Sequence, residues 1–208
     1  MKTLLICLLI LSHAGINSRT VNHPGAGGVS VLTVDPAAST IGWKAEKPTG
    51  THNGTIKIRS GNLVFYCKQL AKGSINIDMN TITVNDLAKP DKQKLETNLK
   101  GDNFFDTGNF PTAKLDIISV DHKSEAVHHF VTINGDLTLR GITKRITFTA
   151  DVSRSTEGNF IAQSDIVINR RDWNIATKNF KYNALIYSDI HLNVLLQANK
   201  VNNQISSL

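Results

Sequence analysis

Residues 127–152 read VHHFVTINGDLTLRGITKRITFTADV, and this stretch decides the fold. Val127, His129, Val131, Ile133, Gly135, Leu137 and Leu139 fall on one parity, and His128, Thr132, Asn134, Asp136, Thr138 and Arg140 on the other. A period of two predicts a β-strand with one face toward an apolar interior and the other toward water. Arg140-Gly141 breaks the run. Ile142, Ile146, Phe148, Ala150 and Val152 then alternate with Thr143, Arg145, Thr147, Thr149 and Asp151, and Lys144 alone is out of step. The pattern predicts a long antiparallel hairpin within an all-β sheet.

The same alternation recurs on both sides. Upstream it marks Val31 to Asp35, Ile41 to Glu46, Thr55 to Arg59, Leu63 to Cys67 and Ile75 to Met79, with turns expected at Pro48-Thr49-Gly50 and at Ser60-Gly61-Asn62. Cys67 shares parity with Leu63 and Phe65, so a buried, inert thiol is expected. Downstream it marks Ala113 to Val120, Asn159 to Asn169 and Ile186 to Leu196. One segment differs. Residues 91–100 carry Leu95 and Leu99 four apart among helix formers and are followed by Gly101, which predicts a single short helix. The loop Asp102 to Pro111 then places Phe104, Phe105 and Phe110 among turn formers, and such side chains must bury over an opening in the sheet.

About eight strands with one apolar face must hide that face. Closure into an extended antiparallel β-barrel is one solution, and a β-sandwich is the other. The length of several strands favours the barrel, and so do a helix and a Phe-rich loop able to plug one end.

At the N-terminus Lys2, the apolar run Leu4 to Leu11 and the small residues after it describe a secretory signal peptide over 1–18. The run is too short for a transmembrane helix. Residues 19–30, with Gly25-Ala26-Gly27-Gly28, form a flexible lead-in. Residues 31–200 make the barrel domain and 201–208 a C-terminal tail. The formal charge of +6 is scattered, without the basic clusters and interleaved aromatics of a nucleic-acid surface. His128 and His129 are strand neighbours that point to opposite faces, so no metal site is expected. No Gly-x-Ser-x-Gly elbow or His-Glu-x-x-His helix is present, so no catalytic residues are assigned.

Several motifs in order resemble the YceI-like family of exported lipid-binding proteins. Gly50-Thr51-His52-Asn53-Gly54 is similar to its early Gly-x-His-x-Gly motif. Leu95 to Leu99 followed by Asp102 to Pro111 is similar to its helix and Phe-Phe-Asp loop, and Gly135 to Lys144 to its Gly-x-Leu-Thr hairpin. Asn169-Arg170-Arg171-Asp172-Trp173-Asn174 is similar to its late Arg-containing motif, and Ser188-Asp189 to the start of its last strand. The likeness covers roughly Val34 to Ala198. Asn98 stands where many relatives have His, and Asn174 where Gly is common.

The resemblance implies a lipocalin-like barrel, located in the bacterial periplasm or outside the cell, whose interior holds a polyisoprenoid or polyprenyl quinone. It implies no catalysis and no cofactor beyond that lipid. The partner expected is an isoprenoid or other long-chain lipid, with no nucleic acid and no stable membrane anchor; a homodimer stays open. A flexible apolar tail gains about 0.8 kcal/mol for each CH2 it buries, provided the barrel is hollow rather than packed solid. Near the mouth, His52, Arg170 and Trp173 are candidates for a headgroup, and Trp43, Phe104, Phe105 and Phe110 complete the candidate ligand-binding set. Each has a competing structural reading: Arg170 as a loop tie to Asp172 or Asp102, His52 as a turn histidine, the phenylalanines as a cap on the core. Two further functions compete, an enzyme acting on such a lipid and a solid β-barrel that binds proteins.

Overall fold

The computed structural model describes residues 28–122, 129–155, 158–175 and 187–200. The signal peptide, most of the lead-in and the C-terminal tail lie outside the described residues. Nine strands form one antiparallel sheet: β1 Val29–Val34, β2 Thr40–Lys47, β3 Gly50–Tyr66, β4 Gln69–Val84, β5 Thr112–His122, β6 Phe130–Leu139, β7 Ile142–Arg154, β8 Phe160–Asn169 and β9 Asp189–Asn199. From β2 each strand pairs with the next in sequence, and β9 returns to β2. β1 and β2 share one place in this ring. Both run antiparallel to β3, β2 against its first half and β1 against its last residues. Between them Asp35 turns the chain, its Oδ1 accepting from Ala37 N at 2.9 Å. The nine strands therefore make a closed barrel of eight staves, as expected from the alternation.

The hairpin that led the sequence reading forms as expected. Leu139 pairs with Ile142 around Arg140-Gly141, and both turn residues have positive φ (49° and 72°). That is the backbone of a two-residue turn whose twist matches the strands. Val131, Ile133, Gly135, Leu137 and Leu139 are all buried on the inner face. On the outer face Arg145 pairs with Asp136, and Thr147 Oγ1 donates to Asn134 Oδ1 at 2.8 Å.

Two expectations upstream need correction. Ser60-Gly61-Asn62 is not a turn. β3 runs straight through it with a bulge between Ile58 and Ser60. The inner parity passes from Gly54, Ile56 and Ile58 to Gly61, Leu63 and Phe65, because one extra residue flips every side chain that follows. The real turn is Cys67-Lys68, both at positive φ (50° and 68°). Cys67 is therefore exposed at a hairpin tip and not buried: its parity with Phe65 ends where the strand ends.

The helix α1, Asp91–Lys100, lies where the sequence placed it. It is tied to the barrel by Glu96, whose Oε1 accepts from Val84 N at 2.9 Å. None of its residues is fully buried, but Leu95 and Leu99 pack on the core. It covers one end of the barrel as a lid.

At the Cys67-Lys68 turn, replacing residues strained at positive φ should stabilise the hairpin. The pair Cys67→Asn and Lys68→Gly is expected to add about 1 kcal/mol, read as a rise in Tm of roughly 2–4 °C by calorimetry; an unchanged or lower Tm contradicts the assignment.

Candidate functional site

The inner faces of the staves do not meet. Two apolar clusters fill the two ends of the barrel. One centres on Leu32, Leu63, Phe65, Leu70 and Phe160, the other on Trp43, Ile82, Leu137, Trp173 and Ile175. Ile77, Leu115, Phe148, Leu192 and Val194 pack against both and yet are only half-buried. Between the clusters lies a cavity with about 170 Å³ of room for the centre of a water-sized sphere. That is an order of magnitude above the ~10–15 Å³ that holds one water molecule. The solid-barrel reading of the interior does not survive this void.

The cavity extends from Leu63, Leu70 and Phe160 at one end to Phe104, Phe105 and Arg170 at the other. Among the described residues its lining is apolar apart from Ser164, Arg170 and Tyr187. Eight staves make an interior just wide enough for side chains or for one small ligand, and here branched aliphatic residues leave the middle unfilled.

Aromatics stand at the far end. Phe65 and Phe160 meet edge to face with centroids 5.1 Å apart, and the Arg154 guanidinium sits 4.2 Å over the Phe65 ring. Burial lowers the pKa of Arg154, yet a guanidinium stays charged and the ring face receives it. His122 caps this end by contacting Leu70 O through Nε2 at 2.7 Å.

The other end is a constructed floor. Leu99 of α1 and Phe104 and Phe105 of the loop line the cavity. Phe110 does not line it; its ring lies against Gly141 at the β6–β7 turn. Arg140, projecting from that turn, donates Nη1 to Asn174 O at 3.0 Å and Nη2 to Asp102 O at 3.3 Å. A short 3-10 turn, Arg170–Trp173, follows β8. It buries Trp173, whose Nε1 donates to Leu137 O at 3.0 Å beneath the cavity. Arg170 is 2% exposed and lines the cavity. Its Nη1 donates to Ile175 O at 2.6 Å and its Nε to Tyr187 O at 3.2 Å. Burial lowers its pKa, with the nearby charge of Arg171 adding to the effect. A positive charge thus stands at one end of an otherwise apolar chamber.

The candidate residues separate accordingly. Trp43, Phe104, Phe105 and Arg170 meet at the cavity; His52, Phe110 and Trp173 stand behind it. His52 Nδ1 lies 2.8 Å from Asp86 Oδ2, and Asp86 Oδ1 accepts from Asn53 N at 2.9 Å. This ties the β2–β3 hairpin to the chain leading into α1. Burial works to raise the Asp86 pKa, but the Asn53 N–H and the His52 side chain outweigh it and hold the carboxyl below its ordinary value. Tyr187 and Ser164 are cavity residues that sequence reading did not single out. Nothing in the residues around Tyr187 marks it, and Ser164 is hidden among outward polar neighbours.

Gly54 has a structural reason. Trp43 faces it across β2 and β3, and the indole passes over it to donate Nε1 to Thr83 O at 3.1 Å. A Cβ on Gly54 would run into Thr83 O and come within 2.7 Å of that same Nε1. Among the described residues no group of His, Cys, Asp and Glu is placed to hold a metal, and no helix is long and apolar enough to cross a membrane.

A family model described as the YceI-like domain matches residues 32–198. The chain is 30% identical over 132 residues to Protein YceI of Escherichia coli O157:H7, covering 60% of this chain and 63% of that protein. It is 33% identical over 91 residues to a UPF0312 protein of Shewanella denitrificans, 43% of this chain and 44% of that one. The matched stretch therefore spans less than two thirds of these relatives. Among solved structures, Burkholderia cenocepacia BcnA superposes with a TM-score of 0.68 at 18% identity, over 80% of this chain and 99% of that one. A polyisoprenoid binding domain from Saccharophagus degradans, described as implicated in plant cell wall breakdown, gives 0.62 at 17% identity, over 81% and 98%. At such identities the likeness is one of fold.

Two outcomes are expected. Gly54→Ala should cost ~3 kcal/mol, seen as a Tm lowered by roughly 6–12 °C; an unchanged Tm would mean that the Trp43–Thr83 bond is not in place. The stability difference between wild type and Asp86→Asn should be full at neutral pH and vanish on acidification. A depressed carboxyl pKa contributes stability above its unfolded value, about 3.9, and loses it as pH falls through the folded value. Denaturant titrations in which that difference persists at pH 2 contradict the pairing.

Proposed function

Because this chain belongs to the YceI-like family, we propose that it sequesters or carries a long apolar lipid, a polyisoprenoid or polyprenyl quinone, inside the barrel and does no chemistry on it. The observation that carries this reading is the cavity, whose described lining residues are apolar save for Ser164, Arg170 and Tyr187. An apolar chain needs no directional partner. Its affinity is set by area removed from water, which such a lining supplies. A quinone oxygen or phosphate would seek the donors at the Arg170 end. A solved structural neighbour described as a polyisoprenoid binding domain supports the same class of ligand. The leader-like residues Lys2 and Leu4 to Leu11 support export to the periplasm or beyond. An enzyme acting on this lipid is the alternative. Among the described residues the lining holds no carboxylate or histidine to support it.

Titration with ubiquinones of increasing prenyl length, followed by quenching of Trp43 and Trp173, tests the reading. Affinity should tighten roughly four-fold per added CH2, the equivalent of about 0.8 kcal/mol, until the chamber is full. Val194→Trp, which adds bulk mid-cavity, should weaken binding at least about ten-fold. The lipid should be recovered unchanged after incubation. Length-independent or absent binding, or a modified lipid, overturns the proposal.

A further inference from the structure

We propose that the seam between β7 and β8 is the door through which an apolar chain passes into the cavity; this rests on the lipid-holding reading above. Neighbouring staves elsewhere are joined by ladders along most of their shared length, but β7 and β8 pair only from Asp151–Gln163 to Arg154–Phe160. Continuing that register would set Thr149 against Asp165 and Thr147 against Val167. Among the described residues no ladder joins them. The last tie is a side chain: Ser164 Oγ donates to Thr149 O at 2.6 Å. Beyond it two strand edges lie side by side without pairing.

The lips of this seam are cavity walls. Ile146 and Phe148 line the chamber from β7, and Ser164, Ile166 and Ile168 from β8. Exposure on the inner side of β7 is least at Ala150 and rises toward both strand ends. Ala150 is 2% exposed, Phe148 and Ile146 are half-buried, and Lys144, facing the same way, is exposed. Lys144 sits opposite Leu137, on a side that in an intact barrel would be sealed from water. This explains why it broke the alternation: a lysine is tolerated there because the wall is parted. On the outside of the other lip Val167 is 55% exposed.

Among the described residues side chains stand across both ends: Phe65, Phe160 and Arg154 at one, and Phe104, Phe105 and Trp173 under the Arg140 clamp at the other. Among the described residues β4 and β5 also stop pairing beyond Gly73–Ile117, but that shorter gap lies at the Phe65 end and is crossed by the His122–Leu70 contact; parting β7 from β8 beyond Ala150 breaks one hydroxyl bond along the chamber wall. A flexible tail can then enter sideways, a few carbons at a time, without dragging a polar head through either end.

The test separates rate from affinity. In the full chain carrying Cys7→Ser and Cys67→Ser, Thr147→Cys and Val167→Cys are bridged by a short bis-thiosulfonate, and uptake and release of cis-parinaric acid are followed by stopped-flow fluorescence. The bridged protein should exchange probe at least about ten-fold more slowly in both directions, with its equilibrium affinity within about two-fold of the reduced form and its rate restored by dithiothreitol. Bridging Lys114→Cys to Thr138→Cys across the intact β5–β6 ladder should leave the rate unchanged. Phe148→Ala, which shortens a lip without any bridge, should speed exchange. The door is overturned if the bridged and reduced forms exchange alike, or if Phe148→Ala leaves the rate as it was. Failure of the underlying reading looks different: no form holds probe at equilibrium, and the door falls with it.

Discussion

The structure depends on a sheet that hides its apolar face only from itself. Each stave turns Ile, Leu, Val or Phe inward at every second residue, and one short helix cannot cover such a face. Closing the ring removes the face from water at a stroke and pairs the edges that an open sheet would leave exposed. Closure fixes the circumference through strand number and register. It does not guarantee that the side chains inside meet. Here they meet at the ends and part in the middle, and that gap is the source of any function the interior has.

The two ends are built by different means. At the Phe65 end, the staves supply the plug from their own residues: a ring pair, a guanidinium laid on it and a histidine on a backbone carbonyl. At the Arg170 end, segments outside the ring supply it. α1, the Phe104-Phe105 loop and the turn that buries Trp173 are drawn together by hydrogen bonds to main-chain carbonyls, and Arg140 makes two of them. Among the described residues the buried charge that reaches the cavity, Arg170, belongs to this second end. A polar head bound there would exchange neutral carbonyl surroundings for its own oxygen atoms, while its tail meets hydrocarbon along the rest of the chamber.

Much of this was legible in the sequence because it follows from period and from glycine. The β6–β7 hairpin announced itself through ten alternating residues and Gly141, and α1 through Leu95, Leu99 and Gly101. What escaped notice lacked a local signal. The turn at Cys67-Lys68 holds two non-glycine residues at positive φ, so the parity of Cys67 was read one step past the end of its strand. The bulge at Arg59 and Ser60 flips the inner face without a breaker, and Gly61 looked like punctuation. Gly54 is required by an indole from the strand on one side and a carbonyl from the strand on the other, which only the register reveals. Trp43 lines the cavity, whereas Trp173, a headgroup candidate, and Phe110, a candidate of the Phe-rich loop, stand behind it. Volume is the property least visible in a chain: the same alternating residues fill a barrel or leave it empty according to strand stagger.

Native mass spectrometry of the protein purified from its own host measures the central claim most directly. The expected spectrum holds, beside the bare polypeptide, a complex heavier by one long-chain lipid that organic solvent strips away and whose fragments are spaced by isoprene units. Bare polypeptide alone, in host preparations and again after incubation with polyprenyl quinone, would contradict the account.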